Sequence, residues 1–220
     1  MRILGGMAKT LILGGSGFVS GAMARAAVVR GDETYVVTRG VRRLPSCVKG
    51  LIADRNTPAF AEVMRRGDLP EFFDRVIDCI GFNADHARQD VETFFPLNAP
   101  ARAGHLVFIS TDWVCSPIDR PPEIDESFDR FDTVPYGGGK RAAEEVFLAA
   151  VGERGREKVP VTILRPCHIY GPGSLLGCVP LHGRDAGLLE RIRGREILRL
   201  LGRGHFLQQP IFVEDLVAMA

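Results

Sequence analysis

The stretch of sequence that decides the fold is Thr10-Leu11-Ile12-Leu13-Gly14-Gly15-Ser16-Gly17-Phe18-Val19-Ser20-Gly21. An apolar run over Thr10–Gly14 stops at glycine, and small and apolar residues follow at helical spacing over Phe18–Arg30. A glycine-rich turn between a strand and a helix predicts a pyrophosphate site, since the helix start offers free amides and a dipole. Gly14 would permit the tight turn and Gly17 the close approach of the backbone. A flexible turn without a ligand is the alternative, and the order of strand, glycines and helix weighs against it.

Strands and helices alternate along the rest of the chain. Further strands are predicted at Thr34–Thr38, Gly50–Ala53, Arg75–Ile80, His105–Ser110 and Val159–Leu164, and further helices at Ala59–Arg66, Ala84–Phe95, Tyr136–Val151 and Glu214–Ala220. This alternation predicts an α/β fold, a Rossmann-type doubly wound parallel sheet with helices on both faces. We expect a dinucleotide-binding domain over residues 1–165 and a partial, truncated C-terminal substrate lobe over residues 166–220.

Composition restricts the classes of function. The chain has 220 residues, 45% of them apolar and 25% charged, which is typical of a soluble globular protein with one large core. A formal net charge of +1 provides no general attraction to nucleic acid or anionic membranes. Apolar runs such as Leu106–Ser110 are too short to span a bilayer. The 5 cysteines are scattered without a Cys-x-x-Cys pair, so we expect a reduced, cytoplasmic protein without a disulfide framework, structural zinc or other metal site.

The end of the second strand predicts which dinucleotide binds. Many NAD enzymes carry an acidic residue there, which binds the ribose hydroxyls of the adenosine. Here the strand ends at Arg39, and Arg42 and Arg43 follow. Because a guanidinium suits a 2′-phosphate, the sequence favours NADP over NAD, although Arg39 as a solvated strand-end cation is the alternative. Asp54, after the third strand, is a candidate contact for the adenine amino group.

Tyr136 and Lys140 are four residues apart and therefore lie on one face of a predicted helix. Lowering a phenol pKa from about 10 to about 7 takes roughly 4 kcal/mol of preferential phenolate stabilisation. A lysine and a positively charged nicotinamide can supply it together. The pattern alone arises by chance, but here it follows a strand that leads to Thr111, whose hydroxyl could hold a substrate oxygen. Gly14, Arg39, Thr111 and Tyr136 all fall at or beyond carboxyl ends of strands, where ligands collect in parallel sheets.

Together these motifs resemble the extended short-chain dehydrogenase/reductase group, the NAD(P)-dependent epimerase/dehydratase family, whose members mostly act on nucleotide sugars. The resemblance runs in family order over nearly the whole chain. It rests on the glycine loop, Val76–Gly81, Ile109–Asp112, Tyr136-x-x-x-Lys140, Leu164–Gly173 and Phe212–Leu216.

The resemblance implies roles for individual residues. Tyr136 would be the catalytic base, Lys140 its partner and a ribose ligand, and Thr111 the third catalytic member. Pro166 and the neighbouring backbone would lie near the nicotinamide amide. The full set of predicted cofactor-binding residues is Gly14, Gly15, Ser16, Gly17, Phe18, Val19, Arg39, Asp54, Cys79, Ile80, Gly81, Ser110, Lys140, Pro166 and His168.

Several positions depart from the family pattern. Ser20 stands at the third glycine position, with Gly21 displaced by one residue, which questions the close packing of the helix more than phosphate binding. Gly138 and Gly139 each cost up to about 1 kcal/mol of helix stability relative to alanine, so a loose start to the catalytic helix is expected. In the 4,6-dehydratases a glutamate follows the Thr-Asp pair, whereas Trp113 here argues against that elimination.

The C-terminal third poses two further questions. Extended family members run well past the end of this chain, so we expect an incomplete substrate pocket, whether the chain is a truncated product, a fragment or a natural short form. Six arginines lie between Arg184 and Arg203. They could recognise an anionic substrate, or they could form a basic helix face interspersed with acids.

The leading hypothesis is an NAD(P)-dependent oxidoreductase or epimerase that acts on a carbonyl or a nucleotide sugar by tyrosine-based proton transfer and hydride transfer. A binding protein that senses NADP without turnover is the alternative. An RNA-binding relative is disfavoured by the near-neutral charge and the absence of an aromatic-basic pattern. A homodimer could form through Ala142, Ala143, Val146 and Phe147, but the same residues could pack on the sheet.

Overall fold

A six-stranded parallel sheet forms the centre of the protein in a computed structural model, which describes residues 7–116, 123–128, 130–131, 134–151, 160–174, 186–198 and 209–220. The strand order is β3-β2-β1-β4-β5-β6. The strands are β1 (Lys9–Leu13), β2 (Glu33–Thr38), β3 (Lys49–Ile52), β4 (Arg75–Asp78), β5 (Leu106–Ile109) and β6 (Val161–Leu164). The chain changes direction across the sheet between β1 and β4, which is the switch point at which dinucleotides bind in such folds.

Helices cover both faces of the sheet. They are α1 (Phe18–Arg30), α2 (Pro58–Met64), α3 (Ala84–Phe94), α4 (Pro135–Val151), α5 (Leu188–Arg193) and α6 (Val213–Met219). A 3₁₀ turn at Asp112–Val114 follows β5, and a small parallel pair joins β7 (Ile169–Tyr170) to β8 (Ile211–Phe212). The predicted α/β doubly wound fold is therefore confirmed. The small β7–β8 pair and α5 were not predicted, because elements this short have no clear periodicity.

The core has two layers because successive strand residues point to opposite faces. Leu11 and Leu13 of β1 join the aromatic side chains under α2, α3 and α4, among them Phe147. Ile12, between them, packs on the other face with Met23 of α1 and Leu216 of α6. The apolar strands are buried on both sides, as their near-continuous hydrophobic sequences require.

Two differences from the predicted elements have physical causes. The strand predicted over Arg75–Ile80 ends at Asp78, because the Asp78 carboxylate accepts the Ile80 N–H at 2.8 Å and turns the chain. The glycine-rich start of α4 is helical throughout. A Cβ on Gly139 would lie 2.5 Å from the Phe82 carbonyl oxygen, so glycine at this position permits a close approach.

Other expectations concern the surface and the C-terminal region. Of the six arginines of the basic segment, Arg184, Arg199 and Arg203 lie outside the described residues. In the described part, Arg191 pairs with Glu196 at 3.2 Å and Arg193 with Glu190 at 2.7 Å, as in a helix face of mixed charge. Of the four residues considered for dimerisation, Ala143 and Phe147 are buried in the core. No helix among the described residues is long and apolar enough to cross a membrane.

Candidate active site

A cleft of about 650 Å³ lies beyond the carboxyl ends of the strands. Its volume is within the range of small-molecule and cofactor sites, about 300–1,000 Å³. Twelve of the predicted site residues line it: Gly14, Ser16, Gly17, Phe18, Val19, Arg39, Asp54, Cys79, Ile80, Ser110, Tyr136 and Lys140. The cleft therefore brings together the glycine loop, the end of β2 and the tyrosine–lysine pair. Gly15, Gly81, Thr111, Pro166 and His168 do not line it.

The glycine loop has the backbone geometry that its sequence predicts. Gly14 and Gly15 have φ values of +121° and +80°, in the region that side chains disfavour. A Cβ on Gly15 would also lie 2.6 Å from Val36. The loop delivers the chain to the start of α1, where Phe18 and Val19 carry amides without an intrahelical acceptor. Gly15 thus acts on the shape of the loop, while Phe18 and Val19 face the cleft with free helix-start amides.

Ser20, at the third glycine position of the motif, is accommodated without separating α1 from the sheet. Its side chain is buried, and its Oγ accepts the Gly17 N–H at 3.0 Å. The Cβ of Ser20 lies 3.0 Å from the position a Cβ on Gly14 would take, so the packing is close. The departure from the family pattern therefore satisfies one amide of the loop.

Tyr136 lies in the first turn of α4, and 48% of its surface is exposed. Its ring meets the Trp113 ring edge-on, with centroids 6.4 Å apart. Burial raises the pKa of Tyr136, the neighbouring Thr111 side chain opposes the rise, and the charge of Asp112 adds to it. Thr111 is buried, and its hydroxyl accepts the Trp113 N–H at 3.3 Å. The predicted tyrosine and threonine therefore lie side by side, and the phenol is neutral in this structure at pH 7.

Lys140 lies one helical turn further on and is almost fully buried. Its ammonium donates to the Ile109 carbonyl at 2.6 Å. It also lies 4.9 Å from the ring centroids of both Phe82 and Phe108. Burial lowers the pKa of Lys140 to about 8, and the charge of nearby Asp78 is the largest influence opposing that fall. The lysine is thus held at the end of β5 in a setting that makes its charge sensitive to pH near neutrality.

A buried charge cluster behind the cleft was not predicted from the sequence. Arg55 donates to both oxygens of Asp78 and to Asp90, and all three side chains are buried. Burial alone would raise the pKa of Asp78, but Arg55 holds it below its usual value. Burial raises the pKa of Asp90 well above its usual value, and the charge of Asp78 adds to the rise. An aspartate inside the apolar strand β4 was the one available signal of this cluster.

A further buried carboxylate connects α4 to the ends of two strands. Glu144 of α4 accepts the Ser110 hydroxyl at 2.6 Å and the Arg165 guanidinium at 2.7 Å. Arg165 follows β6 and Ser110 follows β5, so Glu144 fixes α4 to both strand ends. Ser110, predicted as a cofactor-binding residue, lines the cleft, but its hydroxyl is already bonded to Glu144.

The opposite end of the cleft carries the residues predicted to bind the adenosine. Arg39 and Arg42 line it with Asp54. The Asp54 carboxylate accepts the backbone N–H of Asn56 at 2.9 Å, and this bond is the largest influence that lowers its pKa. Asn56 in turn contacts His86 at 2.9 Å. Asn56, His86 and Phe82 also line the cleft and were not singled out from the sequence.

Pro166 and His168 have structural contacts outside the cleft. The Pro166 carbonyl accepts the Asp112 N–H at 3.1 Å, and the His168 carbonyl accepts the Ile211 N–H at 2.9 Å. The next residue, Ile169, lines the cleft. The segment after β6 therefore reaches the cleft one residue beyond His168.

The sequence matches the model of the NAD-dependent epimerase/dehydratase family over residues 10–220. The chain belongs to this family. The resemblance seen in the motifs is thus confirmed over nearly the whole chain. A comparison with curated proteins found no match.

Solved structures share the fold of this epimerase/dehydratase family member. A candidate epimerase from Burkholderia cenocepacia is 17% identical with a TM-score of 0.74. The alignment covers 96% of this chain and 69% of that one. The UDP-glucuronic acid 4-epimerase of Bacillus cereus, solved with UDP-glucuronic acid and NAD, is 15% identical with a TM-score of 0.69. That alignment covers 95% of this chain and 70% of the epimerase. A candidate NAD-dependent epimerase/dehydratase from Methylobacillus flagellatus is 20% identical with a TM-score of 0.63, at coverages of 97% and 68%.

Proposed function

We propose that the protein is an NADP-dependent oxidoreductase or epimerase of its family, in which Tyr136 exchanges a proton with a hydroxyl or carbonyl of a small-molecule substrate. The observation that carries this proposal is the single cleft lined by the glycine loop, Arg39, Tyr136 and Lys140. These residues come from the ends of β1, β2 and α4. A fold that needed them only for packing would have no reason to place them around one cleft.

The cleft fits a dinucleotide. Val36 leaves no room for a side chain on Gly15, so the loop packs directly on β2, and its next residues, Ser16 and Gly17, line the cleft. The amides of Phe18 and Val19 would hold the pyrophosphate, Arg39 and Asp54 the adenosine end, and Lys140 the second ribose. When bound, the nicotinamide supplies the centre that accepts or donates a hydride and, in its oxidised form, a positive charge.

Tyr136 would act as the acid or base. Its pKa is raised in the ligand-free protein, so the phenolate needs a positive charge nearby before it can take a proton at neutral pH. The Lys140 ammonium is one such charge, and it is held in place by the Ile109 carbonyl. Thr111, beside Tyr136, would orient the substrate oxygen that gains or loses the proton.

NADP is favoured over NAD by the charges at the end of β2. Arg39 and Arg42 line the cleft there, and Asp54 is the one acidic residue on its wall among the described residues. A 2′-phosphate adds about two negative charges, which the guanidinium groups can bind. Because the family includes proteins solved with NAD, this preference is a property proposed for this chain and not for the family.

The substrate class is proposed from the fold relatives and from the wall of the site. The UDP-glucuronic acid 4-epimerase provides the precedent of a nucleotide sugar. Trp113 packs against Tyr136 where the 4,6-dehydratases carry a glutamate, and an indole cannot take part in an acid-catalysed elimination. Epimerisation or simple oxidation and reduction at a sugar or carbonyl carbon is therefore favoured over dehydration.

Two measurements test the proposal. Fluorescence titration with NADPH and NADH side by side should show binding with a clear NADPH preference. Tyr136→Phe should then lose about 100-fold or more in turnover of a substrate found by screening while keeping its affinity for NADPH. Failure to bind either dinucleotide would overturn the proposal. A Tyr136→Phe variant whose NADPH affinity and turnover both equal those of the wild type would indicate a sensor instead of an enzyme.

A further inference from the structure

Lys140 is a buried cation whose direct contacts are uncharged. Its ammonium donates to the Ile109 carbonyl at 2.6 Å and lies 4.9 Å from the ring centroids of both Phe82 and Phe108. An ammonium that is removed from water loses its hydration, and a carbonyl and two ring faces replace only part of it. A buried charge of this kind therefore needs a counter-charge nearby if it is to stay ionised.

Asp78 lies next to a ring that Lys140 contacts. It is the register partner of Phe108 in the pairing of β4 with β5, and register partners on neighbouring strands share one face of the sheet. Gly81 packs against both side chains, since a Cβ on Gly81 would collide with the Asp78 carboxylate and lie 2.8 Å from the Phe108 ring. The carboxylate and the Lys140 ammonium are thus neighbours of the same phenylalanine.

The charges of Lys140 and Asp78 act on each other. Burial lowers the pKa of Lys140 to about 8, and the charge of Asp78 is the largest influence that opposes this fall. Burial alone would raise the pKa of Asp78, and the charges of Arg55 and Lys140 are among the influences that hold it below its usual value. The attraction is mutual, as a counter-ion relation requires.

Three other ionisable groups near Lys140 are neutral at pH 7. Burial raises the pKa of the Cys79 thiol and that of the Tyr136 phenol. Burial lowers the pKa of His86 on α3, whose Nδ1 accepts the Phe82 N–H at 3.1 Å as a neutral imidazole does. None of these three groups can balance an ammonium charge.

Two further charged groups near Lys140 are engaged in other contacts. Glu144 lies on the same helix, but it accepts the Arg165 guanidinium at 2.7 Å and acts on Lys140 more weakly than Asp78 does. Arg55 is itself a cation, and its guanidinium holds both carboxylate oxygens of Asp78 at 3.0 Å each. Because this contact fixes the Asp78 carboxylate in place, Asp78 is the anion best suited to balance Lys140.

We propose that Asp78, fixed by Arg55, is the counter-ion that keeps the Lys140 ammonium charged and thereby acts as a positioning residue for the cleft. Asp78 is fully buried and does not line the cleft, so its effect passes through the lysine. The charge of Lys140 is one that Tyr136 needs before its phenol can lose a proton at neutral pH. The consequence for Tyr136 rests on the proposed function, whereas the charge of Lys140 does not.

The first test measures the pKa of Lys140 in the full chain by carbon NMR of labelled lysine side chains. The chain contains four lysines, and the signal of Lys140 is the one that is missing from Lys140→Met. The variants are Asp78→Asn and, as a matched control, Asp90→Asn. Asp90 is equally buried and bonds the same guanidinium at 2.7 Å, but the main charges that act on Lys140 belong to other residues.

In Asp78→Asn the pKa of Lys140 should fall by about one pH unit or more, because the ammonium loses its counter-charge. In Asp90→Asn it should stay at the wild-type value. Lys49, whose pKa is raised by its bond to Glu33 at the surface, should titrate alike in all three proteins and is an internal reference. An unchanged pKa of Lys140 in Asp78→Asn, or an equal fall in both variants, would overturn the inference.

A thermal melt shows whether Asp78→Asn folds, since the substitution removes one anion from Arg55. If it does not fold, the double variant Arg55→Gln with Asp78→Asn removes both charges of the pair and leaves neither of them unpaired. The pKa of Lys140 should still fall in the double variant, because Asp78 acts on it more strongly than Arg55 does. A pKa at or above the wild-type value would contradict the proposal.

The second test follows the binding of NADPH and NADH against pH by fluorescence. If Lys140 binds the cofactor as an ammonium, the wild-type affinity should fall as the pH rises through about 8. The midpoint of this fall should lie about one pH unit lower in Asp78→Asn and at the wild-type pH in Asp90→Asn. A purely structural role of Asp78 would instead weaken binding at every pH without moving the midpoint.

The two tests separate this inference from the proposed function. If the pKa of Lys140 responds to Asp78→Asn in a protein that binds neither dinucleotide, the counter-ion stands and the proposed function fails. If a dinucleotide binds and turnover depends on Tyr136, but the pKa of Lys140 is the same in all variants, the proposed function stands and the counter-ion fails.

Discussion

Arg55 bonds both carboxylate oxygens of Asp78 from one guanidinium nitrogen, at 3.0 Å each, and neither side chain reaches solvent. The same guanidinium donates to Asp90 at 2.7 Å. Asp78 is the last residue of β4, Arg55 precedes α2, and Asp90 belongs to α3. The cluster therefore ties together the two chain segments that carry Cys79 and Asp54 into the cleft.

The two aspartates should respond differently to the same substitution. Because Arg55 holds the pKa of Asp78 below its usual value while burial raises that of Asp90, Asp78 is the more readily ionised of the two carboxyls. Asp78→Asn should then lower the free energy of unfolding at pH 7 by about 2 kcal/mol more than Asp90→Asn, which resembles the protonated acid. Urea denaturation of the two variants measures the difference. Equal losses would show that the charge is shared between both carboxyls.

The pH dependence of stability follows from the same two directions. The lowered pKa of Asp78 contributes stability that is present above its unfolded value of 3.8 and is lost as the pH falls below it. The raised pKa of Asp90 contributes stability that is present below 3.8 and is lost as the pH rises through its folded pKa. Asp90→Asn should therefore reduce the loss of stability above pH 4, and Asp78→Asn should not.

Local sequence patterns were enough to predict the six-stranded sheet and all the described helices except α5. Twelve of the site residues predicted from the sequence line the cleft. The run from Thr10 to Gly21 contains a strand, a turn and the start of a helix that are consecutive in sequence. Such a local pattern predicts the conformation of the segment without knowledge of the tertiary structure. The Arg55–Asp78–Asp90 cluster could not be predicted in this way. Arg55 and Asp90 are 35 positions apart in the sequence. They come into contact only because α3 packs against the sheet.

Ser20→Ala should show whether the Ser20 hydroxyl provides the hydrogen-bond acceptor for the glycine loop when no ligand is bound. The Ser20 hydroxyl accepts the Gly17 N–H at 3.0 Å, and losing a capping bond of this kind costs about 1 kcal/mol. A bound pyrophosphate would provide a new acceptor at the loop. The variant should thus melt at a lower temperature alone and gain a larger thermal shift from NADPH than the wild type does. An equal shift in both proteins would mean that the Gly17 amide does not contact the cofactor.

Lys140 should make the stability rise with pH in the alkaline range. Its folded pKa of about 8 lies below the unfolded value of 10.5, so the unfolded chain binds more protons between these values and the folded state gains stability as the pH rises. The gain is at most about 1.4 kcal/mol per pH unit. Lys140→Met should remove this slope, which denaturation at pH 7.5, 8.5 and 9.5 measures. A slope that persists in the variant would assign it to another group.

Gly139→Ala should have two opposing effects on stability, a gain in helix propensity and a loss from a steric clash. Alanine is favoured over glycine inside a helix by up to about 1 kcal/mol, and on that ground the substitution in α4 should stabilise the protein. However, the new Cβ would lie 2.5 Å from the Phe82 carbonyl oxygen, which is backbone and cannot rotate away. Displacing α4 from this contact should cost about 1–3 kcal/mol, as overpacking does elsewhere, so a net loss is expected.

The matched control is Gly67→Ala, since nothing lies within 4 Å of a Cβ on Gly67. Urea denaturation should show that Gly139→Ala lowers the free energy of unfolding while Gly67→Ala leaves it nearly unchanged. NADPH affinity should fall in the Gly139→Ala variant alone, because the contact joins α4, which carries Lys140, to the loop that carries Ile80 and Phe82 into the cleft. If Gly139→Ala is as stable as the wild type, α4 can move away from Phe82. That result would support the prediction, made from Gly138 and Gly139, that the N-terminal part of α4 is loosely packed.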